Sequence, residues 1–170
     1  YIMSLSNPSC SYQFTLGPTN GPAVIDVGMP VVIAAVDHIF GGRGSSEGVE
    51  ARVLTPIEIG VINRITKRIV EDLEATWEPI LQVEIFDIEL ETNPEFIQIT
   101  AASETVLHFG FEINSTNAKG MVSLCYPYFT LESILPRLGQ QSYVRPPRLD
   151  REEVMRHNRA VLGPVQVPTV

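Results

Sequence analysis

The chain is poor in the residues that most often announce chemistry. Its two cysteines, Cys10 and Cys125, lie far apart in apolar, strand-like surroundings with no CxxC spacing. That excludes a thiol redox motif or a disulfide framework and fits a reduced cytosolic chain, in which the sequon Asn114-Ser115-Thr116 carries no meaning. The three histidines, His38, His108 and His157, form no HxxxH pair and no His/Cys cluster, so no zinc site is written here. The letters G-x-S-x-G occur once, at Gly44–Gly48, but after a helix and not a strand, so they make no strand-to-helix elbow for a serine nucleophile. No apolar run approaches the ~18 residues of a membrane span, and no stretch reads as a signal peptide.

Positive charge is scarce over most of the length. Residues 1–136 carry 17 acids and 6 bases, whereas 137–170 carry 3 acids and 6 bases, for a net charge of −8 overall. An acidic body argues against nucleic acid, whose phosphates need clustered Lys and Arg. The basic positions of the tail (Arg137, Arg145, Arg148, Arg151, Arg156 and Arg159) are sparse and mixed with acids, as on a solvated helix face.

What is present is the patterning of one globular α/β domain. The 170 residues, 44% of them hydrophobic, are enough to bury a real core. Residues 9–16 and 22–27, split by GPTNG, read as a β-hairpin. Residues 29–40 read as a helix, with Pro30 near its start and glycine at its end. A loop over 41–54 follows, then the strongest helix of the chain, 55–77. Thr55 and Glu58 have capping-box spacing, Pro56 takes the first helical position, and Val61/Ile62, Ile65, Ile69 and Leu73 form an apolar stripe. Strands are expected at 81–90, 96–100, 105–114 and 120–126. In the third of them Leu107, Phe109, Phe111 and Ile113 alternate with His108, Gly110 and Glu112, predicting one buried and one wetter face. Helices are expected at 130–138 and 149–162, the latter after the proline-rich QSYVRPPR, and the chain closes on the linker-like PVQVPTV.

A weak internal repeat underlies this order. A shift of 99 residues lays GPAVIDVGMPVVIAAVDHI over GMVSLCYPYFTLESILPRL, so that Val32, Ala35, Val36 and Ile39 fall on Leu131, Ile134, Leu135 and Leu138. On that register the long helix 55–77 has a counterpart that would fall before Tyr1, and the expectation is a fragment that begins mid-repeat.

The glycine-rich stretch FGGRGSSEG, residues 40–48, is the feature that asks for a function. It is no phosphate cradle: no Gly-Lys-[Ser/Thr] occurs, G-x-G-x-x-G fails at Glu47, and the loop follows a helix where both motifs need a strand. Composition alone leaves two readings open, a flexible connector and a docking surface whose bare backbone a partner approaches closely. Other polar residues have structural readings. Glu58 is the capping-box acid, Asp37, Glu95 and Asn93-Pro94 are helix-surface and turn residues, and His108 is an exposed strand residue.

FGGRG after VDHI, then LTPIEIGVINRI, ETNPEFIQI and GMVSLCYPYFTLESIL, together resemble the middle domain of the flagellar motor switch FliM family, in order over nearly the whole chain. The resemblance implies a pseudo-twofold, CheC-like α/β fold of mixed or antiparallel sheet and long helices. It implies a middle domain over 1–138, and over 139–170 a proline-containing linker and helix leading towards a SpoA-type domain. It implies a non-catalytic scaffold of the cytoplasmic ring at the inner-membrane face of the flagellar basal body. Its contacts would be FliG, through Phe40, Gly41, Gly42, Arg43 and Gly44, and neighbouring copies of the chain; FliN and phosphorylated CheY would be met by other parts of the protein. Arg43 stands where the family usually has proline, exchanging a fixed φ for a guanidinium. The resemblance also supplies an alternative, a CheC- or CheX-type phosphatase of phosphorylated CheY. That family carries Glu-x-x-Asn at the start of such a helix. Here the stretch is Glu58-Ile59-Gly60-Val61, the amide position is apolar, and Asn63 is turned about 200° from it round the helix. No cofactor or metal is implied.

Overall fold

The computed structural model describes residues 8–45, 52–101 and 103–137. All of them belong to the first of two units into which the chain divides, Tyr1–Gly139. The expected helix at 149–162 and the closing segment lie outside the described residues.

Five antiparallel strands form one sheet in the order β3-β1-β2-β5-β4, where β1 is Ser11–Leu16, β2 Gly21–Val27, β3 Ile85–Glu91, β4 Val106–Asn114 and β5 Lys119–Pro127. The predicted hairpin is β1–β2, turned through Asn20 in the left-handed region (φ 49°). Helices α1 (Met29–Ile39) and α2 (Pro56–Trp77) cover one face, with α3 (Tyr128–Glu132) at its end. The main core lies between, where Tyr12, Phe14, Ile25 and Tyr126 from the sheet meet Val32, Val36, Ile62, Val70 and Leu131 from the helices. Each such side chain removed from water contributes roughly 1.5–3 kcal/mol.

The 99-residue repeat is a real feature of the sheet. Its two copies are β2–α1 and β5–α3, and β2 and β5 are central antiparallel neighbours. Ile25 pairs with Leu124, its own counterpart under the shift, so a local twofold axis passes between these two residues. The symmetry is incomplete among the described residues. β3 pairs with the outer edge of β1 and α2 lies on that half, but the edge of β4 and the face above it have no equivalent cover.

Four expectations need correction. Residues 96–100 are no strand: a single 3-10 turn, Pro94–Phe96, is capped by Asn93, whose Oδ1 accepts from Glu95 N–H at 3.0 Å. The chain then crosses the sheet's second face, where Ile97 and Ile99 bury against Val24 and Cys125. The alternation was a true sign of one-sided burial, but the backbone hydrogen bonds do not go into a ladder. β3 begins at Ile85, not 81, and a bulge opposite Gln13–Thr15, with Asp87 at φ 53°, breaks its alternation. The helix expected at 130–138 starts two residues earlier and is interrupted: after Glu132 a turn takes residues 133–134, and residues 135–137 are helical again where the described residues end; Pro136 has no N–H to donate back to Glu132. In β4 neither face is buried: Phe109, Phe111 and Ile113 are 45%, 53% and 40% exposed.

The stripe on α2 packs against the core as expected, with Ile62 buried and Val61, Ile65, Ile69 and Leu73 at its margin. The fully buried residues of the helix are Ile62, Thr66 and Val70. Val61, Ile65 and Ile69 are only half-buried and, with Ile39, line an open apolar groove on the flank of the helix.

Candidate functional site

The glycine loop is built from the end of α1. Gly41 N–H donates to His38 O at 3.1 Å and Gly42 N–H to Asp37 O at 2.8 Å, the paired bonds of a Schellman cap, with Gly41 at φ 90° in the left-handed region. Gly44 is the second left-handed residue, at φ 67°. Both need glycine for backbone reasons. At Gly42 a Cβ would overlap the Asp37 carboxylate, which would have to leave its place.

That carboxylate organises the rest of the turn. Asp37 Oδ2 accepts from Gly44 N–H at 2.8 Å and from Ser45 N–H at 3.4 Å. From the β4–β5 turn, Asn117 Nδ2 donates to Arg43 O at 2.8 Å. Phe40, Gly41, Gly42 and Arg43 remain exposed, Phe40 by 60%. Beside them lies a cavity of about 300 Å³, lined by Val31, Ala35, His38, Arg43, Ile113 and Ala118 among others. The site therefore presents one exposed ring, exposed main chain and an exposed cation on a hydrogen-bonded turn. Such a surface suits docking.

The start of α2 is consumed by its own cap. Glu58 N–H donates to Thr55 Oγ1 at 3.4 Å, and Glu58 Oε2 accepts from Thr55 N–H at 2.7 Å and from its hydroxyl at 2.9 Å. Arg52 forks onto the same carboxylate, Nη2 to Oε1 at 2.5 Å and Nη1 to Oε2 at 2.9 Å. The guanidinium's hydrogen bonds, aided by those from Thr55, hold the Glu58 carboxyl down to about 2. Asn63 is engaged elsewhere: its Oδ1 accepts from the Tyr12 hydroxyl at 2.7 Å. Val61 offers no amide to orient water.

A family model described as flagellar motor switch protein FliM matches residues 1–143. The chain belongs to the FliM family. Among its relatives are flagellar motor switch proteins FliM of Treponema pallidum, 33% identical over 83% of this chain and 41% of its own length, and of Borreliella burgdorferi, 29% identical over 82% and 40%. The chain thus spans about two fifths of the length of these relatives. Among solved structures it is similar to one of a FliG–FliM complex from H. pylori, with TM-score 0.73 and 27% identity over 79% of this chain and 73% of that one. Thermotoga maritima FliY, at TM-score 0.70 and 14% identity over 83% and 75%, shares the fold.

Within this FliM-family domain the structure brings Phe40, Gly41, Gly42, Arg43 and Gly44 together on one exposed turn and sets Thr55 and Glu58 apart as a helix cap. Sequence reasoning missed two residues of the loop. Asp37 read as helix surface and Asn117 was not singled out. Asp37 had a local signal, an acceptor one turn ahead of a run of small residues rich in free N–H groups. Asn117 had none, since 74 residues separate it from Arg43.

Proposed function

We propose that this domain is a non-catalytic scaffold of the flagellar motor switch. It docks FliG through Phe40, Gly41, Gly42, Arg43 and Gly44 and stands beside further copies of the chain in the ring on the cytoplasmic side of the basal body. It relays CheY-dependent switching by moving as a rigid body. FliN and phosphorylated CheY engage parts of the protein outside this domain. The observation that carries the reading is the exposed turn itself: an uncovered phenylalanine and bare main chain, mounted on a hydrogen-bonded cap, in a family with a solved FliG–FliM complex.

Calorimetric titration of FliG into the protein tests it. Phe40 is largely exposed, so Phe40→Ala leaves the fold intact and is expected to weaken binding at least about tenfold, as loss of an aromatic anchor does. Arg43→Ala is expected to weaken it less and to reduce its salt dependence. Unchanged affinity in Phe40→Ala overturns the docking role. No observation favours the phosphatase reading: the acid at position 58 is bonded to Thr55 and Arg52, and no amide stands one turn on. Phosphate release from phosphorylated CheY is expected to stay at background.

A further inference from the structure

We infer that Asp37 and Asn117 are the positioning residues of the docking turn, a two-point clamp that sets its shape before any partner arrives. The inference deepens the docking reading and rests on it for its functional half.

Three observations converge on Asp37. Its main-chain oxygen accepts from Gly42 N–H, closing the helix cap. Its carboxylate accepts from the Gly44 and Ser45 N–H groups, two donors of the turn that follows the helix. The absence of a side chain at Gly42 is what leaves this carboxylate its place. Asn117 then fixes the outer side of the turn through the Arg43 carbonyl. Between the two anchors the main chain of residues 42–44 is bound on both sides, while Phe40 and the Arg43 side chain stay free to meet a partner.

This changes the meaning of Gly42. A glycine at the middle of a docking loop invites the reading that a partner's atoms need its bare backbone. Here the close neighbour is the chain's own Asp37. A turn so rich in glycine loses much conformational freedom on ordering. The clamp meets that cost within the free protein, so that binding does not have to.

The two roles of Gly42 are separable by a double-mutant cycle. Asp37→Ala, Gly42→Ala, the double variant, Asn117→Ala and the conservative Asp37→Asn are made in the full chain. Each is measured by amide hydrogen exchange in the free state and by calorimetry with FliG. In Asp37→Ala the Gly44 amide is expected to exchange about tenfold faster, from loss of a charge-assisted hydrogen bond, with β2 and β5 unchanged. Asp37→Asn, which keeps an acceptor oxygen, is expected to restore most of the protection. FliG affinity should fall about tenfold in Asp37→Ala and in Gly42→Ala, and no further in the double variant. Asn117→Ala should weaken binding in the same direction.

Unchanged Gly44 exchange in Asp37→Ala overturns the clamp. So does a Gly42→Ala penalty that is equally large with and without Asp37, which assigns Gly42 to the partner instead. If exchange responds as expected while no variant, Phe40→Ala included, alters FliG affinity, the clamp stands and the docking reading fails.

Discussion

Asp26 is buried on the second face of the sheet, where the Ser11 hydroxyl donates to its Oδ1 at 2.6 Å. Burial raises its pKa, and the serine only partly offsets this. A carboxyl with a raised folded pKa favours folding when protonated, so this contribution is present at low pH and lost as pH rises through the folded value. Asp26→Asn, which still accepts from Ser11, is therefore expected to raise the urea midpoint at pH 7, with the gain vanishing below pH ~4.

Glu58 has the opposite sign. Its folded pKa is depressed to about 2, so its stabilisation is complete above the ordinary carboxylate range and disappears as pH falls towards 2. Glu58→Gln is expected to flatten the acid side of the stability curve between roughly pH 4.5 and 2, and an unaltered acid limb would refute the assignment. Both thiols are inert by contrast. Burial pushes Cys10 up to about 12 and raises Cys125, leaving little thiolate for reaction.

Among the elements, α2 is the one whose terminus and stripe were both spelled out in the chain, and both are present in the fold. A capping box is a local device, closed within four residues, and its complete set of bonds is present. Thr55→Ala is expected to cost about 1 kcal/mol in thermal or urea unfolding. Which residues of the helix are most deeply covered is a different kind of fact. Val61, Ile65 and Ile69 have the period of a core stripe and pack at the core's margin, yet the groove beside them is open and the fully buried residues include Thr66.

At the start of α1 a contact remote in sequence dominates. A Cβ on Gly28 would stand 2.8 Å from Met121 O, a backbone atom that cannot step aside. Gly28→Ala is expected to destabilise the fold by about 1–3 kcal/mol, the range for overpacking a close approach. A neutral result would mean that β5 yields there.

For the whole molecule, the consequence of a half-covered sheet is surface. Phe109, Phe111 and Ile113 form an apolar strip on β4, continuous with the face on which Tyr126 meets both Phe109 and Trp77 edge-on. An exposed apolar strip of this kind, beside a strand edge that is unpaired among the described residues, promotes association. Phe109→Ser combined with Phe111→Ser is expected to change unfolding little while shifting light scattering towards the monomer. Strong destabilisation instead would show that the strip is buried in solution.

What the sequence determined by itself was everything settled over short range. The β1–β2 hairpin, the α2 cap, the glycine stop of α1, the 99-residue repeat and the family signature depend on neighbours, periods and fixed φ preferences, all written along the chain. It misled wherever one pattern serves two tertiary fates. Alternation at 97–99 signals one-sided burial but not ladder pairing, and alternation in β4 signals an apolar face but not its cover. Only the tertiary structure decided that Asp37 and Asn117 bond to the main chain of the glycine turn and that a Cβ on Gly42 would meet the Asp37 carboxylate. Hydrogen bonds and steric exclusion act between atoms that folding brings within 3 Å or so, and the 74 residues between Arg43 and Asn117 leave no trace of that meeting in the order of the letters.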